Sequence, residues 1–179
     1  TRISTNIAGG QSLDAIAVAH SNAAYIYASN QRNLYYTTNT GSSWNSASIS
    51  SFSENITSIE VHPTNPAIIW VTLSGYNSSN KVFYSTNSGA SWTNISSGLP
   101  NVPVNKIVYE KGSSDILYVG TDTGFYYKNG TDNWQAYNTN LPLTQVRDIE
   151  LQYSDKKIRI GTHGRGIFES DFMSEILLD

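Results

Sequence analysis

Thr37-Thr38-Asn39-Thr40-Gly41-Ser42-Ser43-Trp44 and Ser85-Thr86-Asn87-Ser88-Gly89-Ala90-Ser91-Trp92 share one pattern, Ser/Thr-x-Asn-x-Gly-x-x-Trp. The residue types suit a tight turn between two strands. A short Asn side chain can bond turn amides, Gly accepts a positive φ, and Trp packs the turn onto its sheet. A third stretch, Tyr127-Lys128-Asn129-Gly130-Thr131-Asp132-Asn133-Trp134, keeps the Asn and the Trp but shifts the Gly. The spacing around these turns says more than the turns themselves. Fifteen residues beyond Trp44, Trp92 and Trp134 come Ile59, Ile107 and Ile149. Each opens a segment of alternating apolar residues, as Ile16 does near the N-terminus.

Nine residues after each leading Ile comes a second strand start, at Tyr25, Ile68, Ile116 and Ile158. A third follows at Leu34, Val82, Phe125 and Ile167. The leading Ile residues are 43, 48 and 42 residues apart, one period with an insertion in the second copy and a deletion in the third. The insertion lies inside Ser74-Gly75-Tyr76-Asn77-Ser78-Ser79-Asn80. Short strands recurring at this period predict an all-β β-propeller of four-stranded antiparallel blades, with four blades' worth of strands in the chain. The repeats run over about 8–50, 51–98, 99–140 and 141–179, and only Met173 to Leu178 has a helical look. Counting back fifteen residues from Ile16 gives Thr1, so residues 1–7 are expected as the fourth strand of a blade. The last repeat stops before its own fourth strand. Sixteen strands result, and three assemblies stay open. The N-terminal strand closes the last blade, two chains share a ring as a homo-oligomer, or the chain is a partial propeller that packs on upstream blades or neighbouring domains.

Composition narrows the function. The chain has 179 residues, a net charge of −3, no Cys, 14% charged residues and 12% aromatic residues. The absence of Cys removes disulfide scaffolds, thiol nucleophiles and Cys-ligated metals. The slightly acidic balance argues against nucleic acid as a partner, since that needs clustered Lys and Arg. No apolar run approaches the roughly 20 residues of a membrane span. Three His in separate loops have no metal-ligand spacing, so neither metal nor cofactor is expected. Charged residues fall well below the about one quarter of an ordinary domain, their place taken by Asn, Ser, Thr, Gly and Tyr, as in many secreted all-β proteins.

The turn pattern resembles the Asp-box (BNR) repeat of sialidases, sortilin-type receptors and xyloglucanase-like glycoside hydrolases. In that family Asp usually stands where Asn39 and Asn87 stand here. The resemblance implies a structural role for Asn39, Gly41, Trp44, Asn87, Gly89, Trp92, Asn129 and Trp134. Gly161-Thr162-His163-Gly164-Arg165-Gly166-Ile167-Phe168 is similar to the final blade of secreted bacterial propellers related to the xyloglucanases, which implies a bacterial extracellular or cell-surface location. In sialidase-like enzymes the site lies on the face away from the boxes. Here that face would carry Arg32, Tyr76, Asn77, Asp122, His163 and Arg165 as candidate ligand-binding residues. Tyr76 and Asn77 sit in the insertion, and Tyr with Asn suits a sugar: a flat ring for C–H groups and an amide that both donates and accepts. Each also has an ordinary explanation, Asp122 as a turn former, His163 and Arg165 as caps of the last blade or partners of Asp122, Tyr76 as cover for a blade edge.

Catalysis by glycoside hydrolysis needs two carboxyl groups about 5–10 Å apart, and no pair matches a family motif. The sequence therefore points first to a non-catalytic propeller module of a secreted multidomain protein, binding a polysaccharide or protein ligand on its loop face. The alternative is a piece of a glycoside hydrolase, with its catalytic residues partly in other blades.

Overall fold

The computed structural model describes residues 2–4, 6–47, 52–76 and 79–177. Asn77, one of the candidate ligand-binding residues, lies outside the described residues. The elements are β1 (Ala15–Val18), β2 (Ile26–Asn30), β3 (Asn33–Thr37), β4 (Asn45–Ala47), β5 (Ile56–Val61), β6 (Ile69–Leu73), β7 (Val82–Ser85), β8 (Thr93–Asn94), β9 (Val104–Tyr109), β10 (Ile116–Thr121), β11 (Gly124–Asn129), β12 (Gln135–Ala136), β13 (Val146–Gln152), β14 (Lys157–Thr162), β15 (Gly166–Asp171) and the short helix α1 (Met173–Ile176). They form four antiparallel sheets in chain order, β1-β2-β3-β4, β5-β6-β7-β8, β9-β10-β11-β12 and β13-β14-β15. The fold is a β-propeller arc, one sheet per repeat.

Alternating residues give each sheet two faces, and consecutive sheets bury them against one another. Tyr27 and Leu34 of the first blade pack with Ile59, Val71 and Phe83 of the second. Trp70 and Val82 on the second blade's other face pack with Ile107, Leu117 and Val119 of the third. Ile116, Tyr118 and Phe125 then meet Ile149, Ile158 and Ile160 of the fourth. Glu110, almost fully buried, is held at the third interface by the Tyr118 hydroxyl, which in turn accepts the Met173 N–H at 2.7 Å.

The inner strands contain a feature the repeat spacing did not disclose. β5, β9 and β13 each carry one extra residue against their partner strand, at Thr57, Asn105 and Arg147. A bulge turns its extra side chain away from the ordinary pleat. Thr57 uses this to donate to the Val104 carbonyl at 2.5 Å, and Asn105 donates to the Val146 carbonyl at 3.0 Å. Each bond ties one blade to the next.

The expectation for residues 1–7 needs correction. Residues 2–4, 6 and 7 form no strand, the fourth sheet has three strands, and the described residues hold fifteen strands rather than sixteen. The Ile3 carbonyl accepts the Trp44 indole N–H at 3.2 Å, and a Cβ on Gly41 (φ +84°) would collide with that carbonyl. Trp134 makes the same bond to Ile95, at the end of β8 in the preceding blade. Ile3 thus takes the place of an outer-strand end beside the first blade and does not complete the fourth.

The two ends of the arc differ. Ile16 and Val18 on the outward face of the first blade are exposed, Ile16 by 66%. The outward face of the fourth carries cross-strand rows of charge instead. Arg159 lies opposite Glu150 and Glu169 and pairs with the latter at 2.7 Å, while Lys157 pairs with Asp171 at 2.6 Å.

The two well-matched turns are closed by the same bonds. Asn39 Oδ1 accepts from the Thr37 hydroxyl and the Ser43 N–H, and its Nδ2 donates to Ser43 Oγ. Asn87 does the same with Ser85 and Ser91. Asn in place of the usual Asp exchanges one carboxylate acceptor for the Nδ2 donor and keeps the oxygen that accepts the other two bonds. Asn87→Ala should lower the unfolding free energy by about 1–2 kcal/mol, since it strands the Ser91 amide. Asn87→Asp should cost less, because Ser91 Oγ can turn to donate. Urea unfolding of the two variants checks the order.

Candidate functional site

Antiparallel strands in chain order put the β2–β3, β6–β7, β10–β11 and β14–β15 turns on one end of the arc, together with the connections that lead into β5, β9 and β13. The turns with Trp44, Trp92 and Trp134 lie at the opposite end. On the first, loop-bearing end, backbone bonds knit each turn to the neighbouring connection. Ile56 N–H donates to Gln31 O, Asp122 N–H to Pro103 O, and His163 N–H to Gln145 O, at 2.7, 3.1 and 2.9 Å.

Tyr76 and Asp122, 46 residues apart, meet here. The Tyr76 hydroxyl donates to Asp122 Oδ2 at 2.5 Å. Asn105 Nδ2 donates to Asp122 Oδ1 at 3.0 Å, and Gln145 Nε2 donates to the same oxygen. The carboxylate therefore joins the second blade's insertion, the third blade's bulge and the entry to the fourth blade. The insertion itself is held from below. Lys81, fully buried, donates from Nζ to the carbonyls of Gly75 (2.6 Å) and Ser74 (3.2 Å), and the Glu54 carboxyl lies over Gly75 so closely that a Cβ there would push it aside. Burial lowers the Lys81 ammonium, with the Glu54 charge opposing.

Burial alone would raise the Asp122 carboxyl. Hydrogen bonds from Gln145, Tyr76 and Asn105, with the Arg147 charge nearby, outweigh it and hold the group below its ordinary value. The bond to Asp122 raises the Tyr76 phenol in turn. Asp122 is thus a fixed anion at neutral pH, with donors on both oxygens. Tyr76 remains 59% exposed, and Leu143, in the connection before Gln145, is 81% exposed. A flat ring and an aliphatic side chain stand in water beside a polar cluster.

The other candidates are placed apart from this cluster. Arg32 is exposed in the first blade's turn, and His163 and Arg165 are exposed in the fourth blade's turn. Neither side chain of His163 or Arg165 pairs with Asp122, whose partners are Tyr76, Asn105 and Gln145; His163 serves through its backbone. Asn105, Gln145, Arg147 and Leu143 were not singled out by the sequence. A signal for two of them existed, since Thr57, Asn105 and Arg147 all stand two residues before a leading Ile. Among the described residues no group of three or more His, Asp or Glu is placed to hold a metal ion, and no helix is long and apolar enough to cross a membrane.

The family model Sortilin-Vps10, described as "Sortilin, neurotensin receptor 3", matches residues 2–145. The chain belongs to the Sortilin-Vps10 family. No curated protein matches it. Solved structures similar to this family member include an ancestral GH74 enzyme, with 18% identity over 90% of this chain and 23% of that one, at a TM-score of 0.72. The GH74 enzyme of Niastella koreensis is 14% identical over 88% of this chain and 28% of its own, at 0.68. The extracellular domain of a putative hybrid two component system from B. thetaiotaomicron is 14% identical over 96% of this chain and 22% of its own, at 0.70. The chain spans less than a third of each of these proteins. At such identities the likeness is one of fold, and it places the Sortilin-Vps10 chain among propellers.

Removing the Tyr76 hydroxyl should release part of the restraint on Asp122. In Tyr76→Phe the Asp122 carboxyl is expected to titrate at a higher pH than in the parent, while the thermal midpoint changes little because Tyr76 is exposed. A carbon-detected NMR titration of the Asp122 carboxyl reads the shift directly.

Proposed function

We propose that this chain is a non-catalytic propeller module of a secreted protein and that its loop face binds a glycan at the Tyr76–Asp122 cluster. The observation that carries this reading is the bond between the exposed Tyr76 phenol and the Asp122 carboxylate. It fixes an aromatic ring beside an acceptor, with the Asn105 and Gln145 amides supporting that acceptor from behind. Sugar binding uses this combination, a ring face for pyranose C–H groups and a few fixed polar atoms for hydroxyls. The location follows from the same reading. The likeness to an extracellular bacterial domain supports it, as does a composition rich in uncharged polar residues.

The likeness to GH74 enzymes favours a second reading, a portion of a glycoside hydrolase. Chemistry at Asp122 weighs against a general-acid role for that residue. A general acid in glycoside hydrolysis needs a carboxyl held protonated near neutral pH, and every hydrogen bond to Asp122 favours the ionised form. Phenol, amides and guanidinium surround it.

A glycan array with a parallel hydrolysis screen on xyloglucan and other β-glucans separates the two readings. Binding without turnover, weakened about tenfold or more in Tyr76→Ala, is the expected result, in line with the loss of an aromatic platform of about 1.5 kcal/mol. Turnover that disappears in Asp122→Asn would overturn the binding-module reading.

A further inference from the structure

The opposite end of the arc holds a second concavity that the loop-face reading does not use. It is a cavity of about 620 Å³ between the inner strands. Each blade's first connection contributes to its lining: His20, Pro63, Lys111 with Gly112, and Tyr153. Val61 and Tyr109 form apolar wall, and Glu60 of β5 reaches it from the second blade. The rim is built by the chain itself. Tyr153 Oη accepts the Lys111 N–H at 2.9 Å and donates to the Tyr109 carbonyl at 3.4 Å, so the third and fourth blades share one edge of the mouth.

Glu60 is the unusual member. Its row on the sheet is Glu60, Trp70 and Tyr84, the face packed against the third blade. Among the described residues its one hydrogen bond runs from the Tyr109 N–H to Oε1 at 3.2 Å. Oε2 has none. Lys106, across on β9, acts on Glu60 through its charge, but it pairs with Asp148 of β13 at 3.3 Å. Burial pushes the Glu60 carboxyl up to about 7, against the pull of the Tyr109 amide and Lys106. A carboxyl with one oxygen free of protein partners beside two phenol rings offers an acceptor to a ligand that brings its own positive donor.

We propose that this cavity is a binding site for a small organic cation, an ammonium group that donates to Glu60 Oε2 while its hydrocarbon part lies against Tyr109, Tyr153 and Pro63. Phenol rings suit such a ligand twice, as apolar surface and as electron-rich faces for a cation. Lys111, exposed to water, also lines the cavity, and Glu60 is the one carboxyl of its wall. Binding of the cation favours the ionised carboxyl, so affinity rises with pH as Glu60 loses its proton. The groups that face Glu60 or its neighbours are His20 on the first blade, Lys106, Tyr109 and Lys111 on the third, and Asp148 and Tyr153 on the fourth. His20 also lines the cavity, and a His20→Gln variant separates its contribution from that of Glu60.

The probes are benzylamine and its neutral counterpart benzyl alcohol, titrated by NMR into the full chain at about pH 8 and about pH 5.5. Benzylamine is expected to bind at least about tenfold more tightly than benzyl alcohol at the higher pH and to lose most of that advantage at the lower. Glu60→Gln should erase both the preference and its pH dependence while leaving benzyl alcohol binding as it was. That retained binding also shows that the variant folds. His20→Gln should keep the pH response, and Asp122→Asn should leave benzylamine binding unchanged, so the fate of the loop-face reading is scored separately. Equal affinities for amine and alcohol, an amine preference that survives Glu60→Gln, or no benzylamine binding up to roughly 20 mM would each overturn the proposal.

Discussion

Burial of sheet faces between successive blades is the constraint on which everything else in this chain depends. A small four-stranded sheet with apolar residues on both faces has no stable existence alone. Tyr27 and Leu34 need Val71 and Phe83, Trp70 needs Ile107 and Tyr109, and Tyr118 needs Ile149 and Ile158. The strand register, the tight turns and the nearly constant period serve this requirement, because a one-residue slip would turn each buried row outward. The ends of the arc show the same rule from the other side. Ile16 and Val18 stand exposed where no sheet covers them, whereas the fourth blade presents Arg159, Glu169, Lys157 and Asp171 in ion pairs. Pressing the first face onto the last, as a head-to-tail ring of two chains requires, would strip water from those charges and leave them against aliphatic surface.

Face packing alone leaves blades free to slide, and the bulges supply the missing restraint. Thr57 and Asn105 are the extra residues of β5 and β9, and each donates across the interface to the carbonyl that begins the next inner strand. Asn105 does more. Its Nδ2 also reaches Asp122, so the same side chain that sets the spacing of the third and fourth blades positions the carboxylate of the loop face. Arg147 occupies the equivalent place in β13, and its charge acts on Asp122 and Tyr76.

The fold was legible in the sequence because turn chemistry and strand spacing are local. Asn87, Gly89 and Trp92 announce a turn wherever they stand, and fixed offsets from Ile59, Ile107 and Ile149 locate the strands without knowledge of their partners. The N-terminal stretch shows where that logic stops. Counting made residues 1–7 a fourth strand, yet strand formation needs a neighbouring edge, and Ile3 meets the Trp44 indole instead. At the loop face the sequence could name Tyr76 and Asp122 separately, from an insertion and a turn. Their junction depends on how three blades are angled, which no spacing encodes. Asn105 was hidden for a different reason. Position is conserved across the repeats here, but the residues that fill it are Thr57, Asn105 and Arg147, so no shared side-chain type marks it.

The two carboxyl groups that matter most are pushed in opposite directions by one physical contrast. Asp122 gains three donors in exchange for modest burial, so folding favours its ionised form; the stability this supplies is present above its unfolded value and is lost as the pH falls through the lower folded one. Glu60 gains one donor for much deeper burial, so folding favours its protonated form. From its ordinary value of 4.5 up to about 7, each step upward in pH therefore costs the folded state some stability at Glu60. The loop face thus holds a charge made stable by satisfied hydrogen bonds, and the opposite mouth holds one that is not. A surface that keeps its charge because the protein already satisfies it recognises through shape and neutral hydrogen bonds, as a sugar requires. A cavity whose charge lacks a partner selects the ligand that brings one.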